Sequence, residues 1–121
     1  MESIRERQER IAVRLIDEAR PSIDFNGAAD AVAAEVKRLT ASWNVGDKAV
    51  VDLSAYGFPK GWKAKMDTVV GTRGETGLLV TCKTVNAMRR QNGAGVLFRS
   101  TEPCGDEKIR SEVMWVVKNT L

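Results

Sequence analysis

Residues 55–65 read AYGFPKGWKAK and set Tyr56, Phe58 and Trp62 beside Lys60, Lys63 and Lys65. The whole chain has three Trp, one Tyr and three Phe, so this one stretch holds three of them. Aromatic faces stack on nucleic-acid bases for about 1–3 kcal/mol each with little regard to sequence. Lysines beside them neutralise backbone phosphates. Lys63 and Lys65 are two residues apart, so on a strand they share one face. The same aromatics could equally close the end of a small core, since each buries a large area. Arg89 and Arg90, beside the Asn92-Gly93 turn, form a second cationic pair. Arg73 falls at a hairpin tip in GTRGE, and Arg99 follows a strand. The rigid guanidinium fork suits phosphate. Aromatic and arginine side chains are also enriched at protein–protein hot spots. These residues therefore suggest a nucleic-acid-binding regulator, with a protein-binding adaptor or inhibitor acting through the aromatic loop as the alternative.

Other chemistry has fewer carriers. The chain contains no histidine, which removes Ser-His and Cys-His relays and the usual proton carrier near neutral pH. Cys82 and Cys104 lack metal-ligand spacing and read as free thiols. Asp52 and Asp67 are the pair a small carboxylate-dependent enzyme would use, although local turns and neighbouring lysines explain both. The expectation is a protein without enzymatic activity, cofactor or metal.

The charge is unevenly spread. Residues 1–44 carry seven basic and eight acidic groups, and residues 45–121 carry twelve and eight, a surplus of +4 in the second part. Such a surplus favours a polyanionic partner. Hydrophobic residues make up 43% and charged residues 29%, an ordinary globular balance. No apolar run is long enough to span a membrane, and the charged opening MESIRERQER does not read as a secretory leader. A cytoplasmic protein is expected.

These residues need elements to position them. Ser3 and Glu6 have capping-box spacing, and Ile4, Ile11, Leu15 and Ala19 mark one face of a first helix that ends at Arg20-Pro21. Asn26 reads as the cap of a second helix from Gly27 to Ser42. Its apolar stripe is Ala29, Val32, Val36, Leu39 and Trp43. Residues 1–44 thus read as a helical hairpin or arm, whose faces could also join two copies in a dimer. Beyond residue 45 the pattern changes to period two. AVVDL, WKAKMDTVVG, GLLVTCKTV, GVLFR and VMWVV read as five short strands.

The segments VGDKAVVDL, WKAKMDTVVGTRGETGLLVTCK and EKIRSEVMWVV resemble the SH3-like small barrels in their rhythm. GTRGETG resembles the glycine-containing turn of nucleic-acid-binding small barrels of ribosomes and transcription factors. The resemblance covers residues 45–121. It implies a small five-stranded antiparallel barrel that binds RNA, DNA, peptides or proteins near its first long loop. The expected architecture is α+β, with an N-terminal helical hairpin over 1–44 and a barrel domain over 45–121.

Overall fold

The computed structural model describes residues 23–83 and 94–120. The expected first helix and the Arg89–Arg90 pair lie outside these residues. Among the described residues the chain is α+β, with two helices and one antiparallel sheet.

Helix α1 spans Phe25–Ser42. It starts two residues before the expected position because Asp24, and not Asn26, is the cap. The Asp24 carboxylate accepts the Gly27 backbone N–H at 2.8 Å, which satisfies an amide that the first turn leaves open. A Cβ on Gly27 would collide with that carboxylate and would come within 3.1 Å of the Tyr56 ring. Glycine is therefore what lets the cap and the following loop approach the helix. The stripe Ala29, Val32, Val36 and Leu39 is buried as its spacing predicts, and Ala28 joins it. Trp43 ends the helix in the left-handed region at φ 51°, its N–H donating to the Leu39 carbonyl. A bulky residue holds this strained conformation because its side chain packs against the core.

The strands are β1 (Lys48–Asp52), β2 (Lys63–Val70), β3 (Thr76–Lys83) and β4 (Gly95–Arg99). They form a meander in the order β1-β2-β3-β4. A short 3₁₀ turn, Leu53–Tyr56, follows β1. The β2–β3 hairpin turns through Gly71–Glu75, closed by the Gly71 N–H to the Glu75 carbonyl at 2.6 Å, with Gly74 at φ 83°.

Two expectations are corrected here. VMWVV is not a strand: it lies in helix α2, Asp106–Asn119. Ile109, Val113, Val116 and Val117 are its buried residues, and their spacing is helical. Asp106 and Glu107 occupy the first turn, where the helix dipole favours negative charge. The strands therefore number four among the described residues. The expected barrel is an open sheet, because helices and not further strands cover its apolar face.

That face consists of Ala49 and Val51, Ala64, Met66 and Thr68, Leu78, Val80 and Cys82, and Val96 and Phe98, aligned by the strand register. Both helices pack on it, α1 towards β1 and α2 towards β4. They run antiparallel. Lys37 meets Asp106 at 3.1 Å near one end, while Arg110 bonds Asp30 and Asn26 nearer the other. One core cluster takes side chains from both helices, the sheet and the 53–62 loop.

Candidate functional site

Alternation puts the other half of every strand on the opposite face. Among the described residues no helix or loop packs over it. The register arranges it in rows. Asp52, Lys63 and Lys83 form one end. Val50, Lys65, Thr81 and Gly95 form the next row, followed by Lys48, Asp67, Leu79 and Leu97. Val69, Gly77 and Arg99 form the last. Five cations thus share this face with two carboxylates.

The carboxylates are already engaged. Asp67 faces Lys48 at 3.7 Å. Asp52 accepts the Ser54 hydroxyl at 2.8 Å and the Ser54 backbone N–H at 3.0 Å, capping the 3₁₀ turn. The Ser54 hydroxyl bond, then the Ser54 amide and the nearby Lys63 charge, hold its carboxyl below the ordinary aspartate value despite a small opposing effect of desolvation. Along the strands Asp52 and Asp67 sit two rows apart, roughly 13 Å. They do not converge as an acid–base pair. Among the described residues no carboxylate is within ion-pair distance of Lys63, Lys65, Lys83 or Arg99.

The aromatic loop lies elsewhere. Phe58 is buried and packs edge-to-face against Phe25 of α1, with ring centroids 5.8 Å apart. Tyr56 is half-buried over Gly27, and its carbonyl accepts the Asp24 N–H at 2.8 Å. Trp62 is half-buried against the same core. The aromatic cluster closes the end of the core between α1 and β2. Phe58 has no free face for a base, a correction to its expected recognition role.

The cations divide. Lys63, Lys65 and Arg99 share the open face. Lys60 is exposed in the loop beyond it, and Arg73 is exposed at the β2–β3 hairpin tip. The structure adds Lys48 and Lys83. Period two in LLVTCK already set Lys83 opposite Val80 and Cys82, but only the register sets it beside Lys63. The face also carries Val50, Val69, Leu79 and Leu97, each between 38% and 58% exposed. Val69, Leu79 and Leu97 are neighbours near the hairpin end, where Lys48 and Arg99 share their rows, while Lys63, Lys65 and Lys83 lie together at the other end.

The two thiols differ. Burial raises the Cys82 thiol above its ordinary value, partly offset by a hydrogen bond with Thr120. Cys104 is half-buried on the chain leading to α2. Among the described residues no three His, Cys, Asp or Glu side chains cluster as metal ligands, and no helix is long and apolar enough to cross a membrane. None of the family models, curated proteins or solved structures compared with the chain matches it.

Proposed function

We propose that this chain is a non-enzymatic nucleic-acid-binding protein that presents the open sheet face to the phosphate backbone of RNA or DNA. The observation that carries the proposal is the gathering of Lys48, Lys63, Lys65, Lys83 and Arg99 on one face against only Asp52 and Asp67. Lys63 and Lys83 are direct cross-strand partners, and Lys65 lies two residues along β2. Their Cβ atoms therefore lie within about 5–8 Å of one another on one face of the sheet. Like charges held this close gain from a polyanion that displaces their counterions. The face exposes no aromatic ring, so its contacts are to phosphate and sugar and it reads sequence weakly. Lys60 and Arg73 extend the positive surface beyond opposite ends of the sheet.

A protein partner is the second reading. It draws on the neighbouring Val69, Leu79 and Leu97, which are apolar and partly exposed. Salt separates the two, because phosphate contacts weaken steeply with ionic strength and apolar contacts do not.

The test is fluorescence anisotropy with labelled single-stranded and duplex DNA and RNA at two salt concentrations. Micromolar or tighter binding is expected, with log K falling by about 0.7 per log unit of salt for each phosphate contact on a single strand, or about 0.9 on B-DNA. Absence of binding at low salt refutes the reading and favours the protein partner.

A further inference from the structure

Strand β4 is the last in the sheet order, so one edge of its backbone has no partner strand among the described residues. Such edges template pairing with another strand. Helix α2 lies over this side of the sheet. Between them runs a shallow groove lined by Gly95, Val96, Ser111, Glu112 and Trp115. Trp115 is 53% exposed although it belongs to a helix whose other face is fully buried. Leu97, on the opposite side of the same strand, is 44% exposed. An unpaired edge therefore has an exposed apolar side chain both above and below it.

The charges around Trp115 indicate what covers this edge. Glu112 lies three residues before Trp115 and Lys118 three residues after it. On the helix surface they flank Trp115, one on either side of it. Among the described residues neither is in an ion pair within the chain. A pattern with opposite charges at equal distances from a central residue is complementary to itself in antiparallel packing. In such a packing Glu112 of one copy would lie opposite Lys118 of the other, with Trp115 against Trp115 at the centre. A two-fold axis along the sheet normal produces this helix contact and also sets β4 antiparallel to its copy. Strands pair about 4.8 Å apart, and α2 contacts both β3 and β4, so pairing the β4 edges brings the two α2 helices side by side on one face of the joined sheet.

We propose that a second copy of this chain occupies the β4–α2 edge, forming an isologous dimer in which two open sheets become one continuous sheet. The paired edge covers Trp115 and Leu97 together. It also sets the basic faces of the two molecules side by side on one surface. The dimer stands or falls independently of nucleic-acid binding, because it is measured in the absence of nucleic acid.

Sedimentation equilibrium of the full chain over a range of concentrations tests it. Wild type is expected to dimerise. Trp115→Glu, at an exposed position, is expected to raise the dimer Kd by about 30-fold or more, as for loss of a central hot spot. Circular dichroism checks that this variant is folded. Glu112→Lys alone and Lys118→Glu alone should each weaken the dimer, and the double exchange should restore it. Residues six apart on one helix do not face each other within a chain, so the restoration reads the contact between copies. A wild type that stays monomeric at all concentrations overturns the proposal. So does a dimer indifferent to Trp115→Glu, or a double exchange no better than the singles.

Discussion

The two faces of the sheet are built from the same four strands and differ only in which alternate residue points which way. Leu78, Val80 and Cys82 point into the core, while Leu79, Thr81 and Lys83 of the same strand point out. The inner set is covered by two helices. The outer set carries lysines and aliphatic side chains with no covering element among the described residues. Parity along each strand thus separates residues that hold the fold from residues free to meet a partner.

Adjacent leucines give the sharpest contrast. Leu78 is fully buried and Leu79 is 38% exposed. Leu78→Ala removes buried carbons and leaves a cavity, an expected loss of about 2–5 kcal/mol. Leu79→Ala should cost less than about 1 kcal/mol, because much of that side chain already meets water. Urea unfolding of the two variants measures the difference. Equal losses would mean that the outer face is covered too.

A smaller effect of opposite sign is expected in the same row of the inner face, directly across from Leu78 on β2. The Thr68 hydroxyl is buried and has no hydrogen-bond partner among the described residues. Thr68→Val keeps the shape and removes an unsatisfied polar group, so it should stabilise the chain by about 1 kcal/mol. A destabilised variant would show that the hydroxyl has a partner after all.

The smallest effect belongs to Asp52 on the outer face. Its pKa is lowered in the folded chain, so its contribution is present above the ordinary aspartate range and is lost as pH falls through the lowered folded value. Asp52→Asn should therefore reduce the urea midpoint slightly at neutral pH. The gap to wild type should close in strong acid. A gap that stays constant with pH would assign the difference to something other than this carboxylate.

Local patterns show how much of this was legible in the sequence. The α1 stripe Ala29, Val32, Val36 and Leu39 could be read because its spacing is helical and uninterrupted. The first four strands could be read from alternation and turn residues. VMWVV reads as a strand because its β-rich composition outweighs a helical spacing that becomes visible only when Ile109, four residues before Val113, is counted with it. That one substitution of helix for strand turned the expected barrel into an open sheet and left Trp115 unrecognised as a surface residue.

The candidate site is partly legible: Lys63, Lys65 and Arg99 stand out in the sequence, while Lys48 and Lys83 share their face through cross-strand register, which no local window contains. From the sequence Phe58 reads either as a recognition ring or as a plug at the end of the core. Its partner Phe25 lies on a helix far away in the chain, and only the tertiary fold brings the rings together.

On the proposed reading, nucleic acid is bound by the open face and not through net charge alone. Anisotropy titrations of two double variants with the same change in charge test this most directly. Lys65→Glu/Lys83→Glu reverses two cations on the sheet face, and Lys37→Glu/Arg38→Glu reverses two on α1. The sheet-face variant is predicted to lose affinity and to show a flatter dependence on salt, while the helix variant stays close to wild type. Equal weakening of both variants would contradict binding by the open face, since the position of the charges would then be irrelevant.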